Sequence, residues 1–128
     1  MASILIADDD GGVRRLLRTV LEAGGHKVWE ASNGKEAAAL NRRTKFDLVI
    51  IDLVMPEQEG LETIQALKKE HPGLRIIAMS GAFAGVQLSA MLRIAQMLGA
   101  NASLTKPFSA DTVLETVLGV LDSAQQRT

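Results

Sequence analysis

The sequence predicts an α/β fold, a parallel sheet with helices packed on both faces. Strand-like apolar runs alternate with helical patterns five times, with short links between them. Residues able to do chemistry leave the ends of those runs, where open α/β sheets place their ligands. The length of 128 residues suits one domain, and an apolar share of 47% is enough for a core.

The first strand is read at 3–7, where Ile4, Leu5, Ile6 and Ala7 form a run buried on both faces. Asp8, Asp9 and Asp10 follow at once. Two carboxylates about 4 Å apart repel by roughly 4 kcal/mol at an effective dielectric of 20. One Asp is enough to cap a helix, so three in a row point to a cation. The first helix sets Val13, Leu16, Leu17, Val20 and Leu21 on one face and Arg14, Arg15 and Arg18 on a solvated one. Gly24 and Gly25 stop it. Gly11 and Gly12 open it and lose more entropy on ordering, so this end is expected to fray without metal.

"KVWEA" at 27–31 mixes polar and apolar residues, as an edge strand would, with Trp29 packing there. An Ala-rich helix over 34–43 ends in Arg42 and Arg43. The most apolar strand, 48–51, runs into Asp52, and Pro56 and Gly60 read as loop residues. The third helix carries Leu61, Ile64 and Leu67 and stops before "HPG". The strand at 76–79 leads to Ser80 and Gly81. The fourth helix carries Met91, Ile94, Ala95 and Leu98 and stops at Gly99, with Met79, Met91 and Met97 assigned to the core. The fifth strand, 102–105, leads to Lys106 and Pro107. Val113, Leu114, Val117, Leu118 and Leu121 mark the last helix. The domain is placed at 3–123, with a tail at 124–128.

Composition excludes several classes. A net charge of -1 gives no basic field for nucleic acid, and 3% aromatics give no stacking platform. Without cysteine there is no disulfide, thiolate metal site or thiol nucleophile. The apolar runs are too short to span a membrane, and "MASILIA" lacks the basic start of a signal peptide. His26 and His71 show no ligand spacing and read as surface residues.

The strand ends together offer several carboxylates, a hydroxyl and a lysine at one edge. Oxygen donors of that kind suit Mg²⁺, which takes one or two carboxylates plus phosphate oxygens and water. A lysine supplies a mobile positive charge. An Asp carboxylate can itself accept a phosphoryl group, and Asp52 is the most central.

The segments "ILIADDD", "FDLVIIDLVMPEQEG", "IIAMSGA" and "LTKPF", in that order, resemble the receiver domain of two-component response regulators from end to end. The resemblance implies a flavodoxin-like sheet in the order 2-1-3-4-5. It implies that Asp52 is the phosphoacceptor, that Asp9 binds Mg²⁺ directly and Asp8 through water, and that the Val54 carbonyl completes the protein's ligands. Ser80 and Lys106 would hold phosphoryl oxygens, with Val54 and Gly81 beside them. The Lys106–Pro107 bond would be cis, and Asp10 would cap the helix. The implied donor is a histidine kinase or histidine phosphotransfer protein, the implied output a downstream protein target. Neither direct nucleic-acid nor membrane contact is expected, and the location is cytoplasmic. The chain would be a monomer or a phosphorylation-dependent dimer, and not an enzyme beyond assisting its own phosphorylation and dephosphorylation.

Three departures stand out. Ser103 occupies the position where receivers carry an aromatic or histidine switch residue, so Ser80 and Ser103 must switch differently, with Phe83 a conceivable substitute. The stretch between Ser80 and Lys106 is longer than usual, which predicts an extended loop or a lengthened fourth helix. Val54 is apolar and cannot orient a water. It also replaces the second Asp that phosphatases similar to haloacid dehalogenases use as general acid. No DNA-binding module is expected after the fifth helix, so output is expected through a partner or a relay. The alternatives are an excised receiver of a longer DNA-binding or enzymatic regulator, and a phosphorylation-independent scaffold.

Overall fold

The computed structural model describes residues 1–54, 59–81 and 85–125, leaving aside the side chains of 59, 85–89 and 123–125. Strands and helices alternate: β1 (Ser3–Ala7), α1 (Gly11–Ala23), β2 (Lys27–Ala31), α2 (Gly34–Arg43), β3 (Leu48–Asp52), α3 (Glu59–Glu70), β4 (Arg75–Gly81), α4 (Gly85–Met97), β5 (Ala102–Lys106) and α5 (Ala110–Gln125). The strands form one parallel sheet in the order β2-β1-β3-β4-β5. This is the expected order, with β2 at an edge.

Position in the sheet explains composition. β3 lies at the centre, and all of its residues are buried. At the edge, Val28 and Ala31 of β2 are buried while Lys27 is exposed. The period of two along each strand sorts the core into two layers. Leu5, Val49, Ile51, Ile76 and Ala78 pack with Ala37 of α2, Ile64 and Leu67 of α3 and Ala95 of α4. Ile4, Ile6, Leu48, Ile50, Ile77 and Met79 pack with Leu17 and Leu21 of α1 and Val113 and Val117 of α5. Trp29 packs edge-on against Phe46, with ring centroids 5.3 Å apart.

Helix ends follow their local chemistry. Gly25 (φ 89°) and Gly99 (φ 114°) take the left-handed conformation after α1 and α4. The amides of His26 and Ala100 then reach back to the Leu21 and Ala95 carbonyls.

Several expectations about helix faces need correction. Leu16 (53% exposed), Met97 (85%), Ile94 and Leu118 lie in solvent. Each helical residue turns about 100°. Met97 is therefore about 200° round the helix from buried Ala95, and Leu16 is rotated off the line of Leu17 and Leu21. Met79 is buried as expected, and Met91 packs against the core. His26 is half-buried, and its Nδ1 accepts the Ala2 amide at 3.1 Å. Pro56 and Phe83 lie outside the described residues. So do 82–84, and with them the question of an extended loop before α4.

Gly60 is not a loop residue. It lies in the first turn of α3, where an added Cβ would stand 2.5 Å from the Asp52 carbonyl oxygen and 2.6 Å from the Leu53 Cα. The helix start presses on the backbone of β3's end with no room for a side chain. Gly60→Ala is therefore expected to destabilise the protein by about 1–3 kcal/mol. Gly73→Ala, whose Cβ would meet nothing within 4 Å, serves as a near-neutral control. Urea unfolding of both variants checks the contrast.

Candidate functional site

Asp8 follows Ala7 of β1, Asp52 ends β3 and Lys106 ends β5. Counting by twos, Asp8 continues the face of Ile4 and Ile6, Asp52 that of Leu48 and Ile50, and Lys106 that of Leu104. The apolar members of all three series belong to the layer under α1 and α5. The sheet thus carries these three groups to the same side of its carboxyl edge.

Lys106 joins the carboxylates. Its Nζ donates to Asp8 Oδ2 at 2.9 Å and to Asp52 Oδ2 at 3.1 Å. Asp8 and Asp52 are both buried. The other Asp52 oxygen accepts the Val54 amide at 2.9 Å. Asp8 Oδ1 accepts the Asp10 amide at 2.8 Å, and the Asp8 amide donates to the Ala31 carbonyl of β2 at 3.1 Å. Asp9 is exposed, yet it offers an oxygen to the same cluster: one carboxylate oxygen each from Asp8, Asp9 and Asp52 lie within 4.8 Å of one another. Asp10 caps α1, its Oδ1 accepting the amides of Gly12 (2.8 Å) and Val13 (3.3 Å).

Burial pushes the Asp52 carboxyl above its ordinary range, the neighbouring Asp8 charge adds to the shift, and the Val54 amide and Lys106 offset it only in part. Burial by itself would lower the Lys106 ammonium. The hydrogen bonds to Asp8 and Asp52 outweigh it and hold the group above its ordinary value.

The remaining predicted residues surround this cluster unequally. Ser80 follows Met79, the cross-strand partner of Asp52. It is fully buried, and its Oγ finds no hydrogen-bond partner among the described residues. Gly81 pairs with Lys106 across the β4–β5 ladder. Val54 is 51% exposed beside Asp52. The Lys106–Pro107 bond is cis. Ser103 is exposed on β5 opposite Ala78, out of step with the Leu104–Lys106 series. A separate cavity of about 720 Å³, lined within 41–46 and 70–74, lies at the other edge of the sheet and contains none of these residues.

The donor set fits a hard divalent cation, since three carboxylates supply only oxygen and converge on one small volume. Sequence reasoning missed what surrounds it. Arg14 and Arg18 are not a plain solvated face. Arg14 Nη1 donates to the Asp8 carbonyl at 2.6 Å, and its Nε to Glu30 Oε1 at 3.1 Å. Arg18 Nη1 donates to Glu30 Oε2 at 2.7 Å. The one hint in the sequence is an acid inside the edge strand 27–31.

A family model for the response regulator receiver domain matches residues 4–118. The chain belongs to the response regulator receiver family. Sporulation initiation phosphotransferase F of Bacillus subtilis is 32% identical to this receiver over 89% of the chain and 89% of that protein. The DNA-binding transcriptional regulator NtrC of Azospirillum brasilense is 37% identical over 95% of the chain, which spans only 24% of that regulator. A CheY-like receiver domain protein from Methanospirillum hungatei superposes with a TM-score of 0.89 at 28% identity, covering 100% of this chain and 99% of that one. Among the described residues, no helix is long and apolar enough to cross a membrane.

Because burial raises the folded-state value of Asp52, its ionised form opposes folding at neutral pH, and the penalty fades as pH falls through that value. In metal-free receiver at pH 7, Asp52→Asn is expected to raise the melting temperature by a few degrees, about 1 kcal/mol being worth roughly 3–6 °C at this size. The gap should narrow on acidification. Thermal melts of both proteins across pH check it, and an Asn variant melting at or below the parent at pH 7 contradicts it.

Proposed function

We propose that this receiver accepts a phosphoryl group on Asp52 in a Mg²⁺-dependent reaction and signals by binding a protein partner or by passing the group on. The observation that carries the reading is the Lys106 ammonium held by both Asp8 and Asp52, beside three carboxylates near enough to share one cation.

The donor is a phosphohistidine of a histidine kinase or histidine phosphotransfer protein. An Asp52 oxygen attacks phosphorus and forms an acyl phosphate. The N–P bond breaks, and its electron pair stays on the imidazole nitrogen, which takes up a proton. Such transfer needs in-line placement and charge neutralisation more than covalent help. Asp9, Asp52 and the Val54 carbonyl would hold Mg²⁺ directly and Asp8 through water. When bound, the ion neutralises phosphoryl oxygens and the crowded carboxylates together. Lys106 is already beside Asp52 and turns its ammonium to a phosphoryl oxygen. The buried Ser80 hydroxyl donates to another, with Val54 and Gly81 bordering the same group. Ser80 moves as the switch, while Ser103 brings no aromatic side chain to follow it. The functional unit is 3–123, working in the cytoplasm as a monomer or as a dimer formed on phosphorylation.

The likeness to sporulation initiation phosphotransferase F over most of both chains supports a receiver acting by itself in a relay. A second reading, the receiver part of a longer regulator, has support in the match to NtrC over 24% of its length.

Incubation with a small phosphodonor and Mg²⁺ is expected to add the mass of one phosphoryl group to the intact protein. Asp52→Asn, or chelation of the metal, should abolish the gain. Equal labelling of Asp52→Asn would defeat the reading. With apolar Val54 unable to orient water, the acyl phosphate is expected to persist for minutes or longer in the isolated receiver. Val54→Asn should shorten that lifetime several-fold, read from the decay of the phosphorylated mass. A parent lifetime of seconds would contradict the role given to Val54.

A further inference from the structure

We infer that Arg14 is a positioning residue for the acidic site: its guanidinium clamps the turn between β1 and α1 so that Asp8 and Asp9 stand beside Asp52 before any cation arrives. The inference rests on the metal-site reading above for its consequence, but not for the geometry.

The turn needs an outside support. Asp8, Asp9 and Asp10 repel one another, and the next residues are Gly11 and Gly12, which add no stiffness. Inside the turn, Asp8 is tied by its amide to Ala31, and by its two carboxylate oxygens to the Asp10 amide and to Lys106. Its carbonyl oxygen is held from outside by Arg14 Nη1 at 2.6 Å. That is a short, charge-assisted bond. Arg14 also crosses the first residue of α1, its Nη2 lying 3.4 Å from where a Gly11 Cβ would be.

The clamp is itself anchored. Glu30 of β2 accepts Arg14 Nε on one oxygen and Arg18 Nη1 on the other. Arg18 further donates to the Val28 carbonyl at 3.2 Å and to Glu22 at 3.3 Å. One carboxylate on the edge strand thus fixes two arginines of α1, and one of those fixes the backbone of Asp8. A planar guanidinium can hold two acceptors in a set geometry, which an ammonium cannot.

Charge alone and positioning predict opposite signs. As a mere positive charge near a cation site, Arg14 would repel Mg²⁺, and Arg14→Ala would tighten binding. As a positioning residue it aids binding. Outer partners of metal ligands typically carry about 10–100-fold in metal affinity. Arg14→Ala is therefore expected to weaken Mg²⁺ binding by about 10-fold, measured by calorimetric titration. Arg14→Lys, which keeps the charge and loses the fork, should weaken it similarly, and Glu30→Gln should weaken it less. A second readout needs no metal. In metal-free protein, the Asp10 amide is expected to exchange with solvent several-fold faster in Arg14→Ala, relative to amides of the central strand β3. Should Arg14→Ala not fold, Arg14→Lys and Glu30→Gln carry both measurements. Where the parent binds Mg²⁺, tighter or unchanged binding by the Arg14 variant overturns the inference, as does unaltered Asp10 exchange. A parent that binds no Mg²⁺ overturns the metal reading instead, and the exchange measurement then decides the clamp by itself.

Discussion

One constraint governs this molecule: like charges are gathered where water cannot screen them well. Asp8 and Asp52 are buried, and Asp9 adds a third carboxylate oxygen within 4.8 Å of both. Lys106 is the compensating charge, reaching both buried acids from the far edge of the sheet. Its arrival depends on β5 lying two strands from β3, hence on the whole strand order. Without the cross-sheet contact, the acid-rich ends of β1 and β3 would repel one another in a poor dielectric. The fold therefore does not merely display the site; the site's electrostatics bear on which arrangement of strands is stable.

The apolar architecture relieves that strain by separating tasks. The two core layers are nearly independent sets, divided by the alternation of side chains along each strand. Asp8, Asp52 and Lys106 continue the layer that meets α1 and α5. The layer under α2, α3 and α4 approaches Asp52 by a different route, through the bare contact of Gly60 with the Asp52 carbonyl. Side-chain electrostatics act on one side of the sheet, and backbone packing acts on the other.

Features set by neighbours along the chain are legible from the residues alone. The Asp10 cap, the glycine stops after α1 and α4 and the buried run of β3 each depend on a few consecutive residues. The convergence of Asp8, Asp52 and Lys106 is legible too, because strand ends in a parallel sheet share one edge. What escapes such reading depends on rotation or on distant partners. Leu16 and Met97 are apolar and helical, yet each is rotated off the buried line, Leu16 by one residue from Leu17 and Met97 by two from Ala95. The Arg14–Glu30 pair spans 16 residues, and nothing in its local pattern shows that α1 passes beside β2. Gly60 reads as punctuation because a close approach leaves no trace in sequence except the missing side chain.

The place of the Ser80 hydroxyl has an energetic consequence. It is wholly enclosed next to Met79, the cross-strand partner of Asp52, and among the described residues its Oγ has no hydrogen-bond partner. Giving an acceptor to a buried hydroxyl that lacks one is worth about 1–3 kcal/mol, so an oxygen arriving at this edge of the sheet would meet a donor already shielded from solvent.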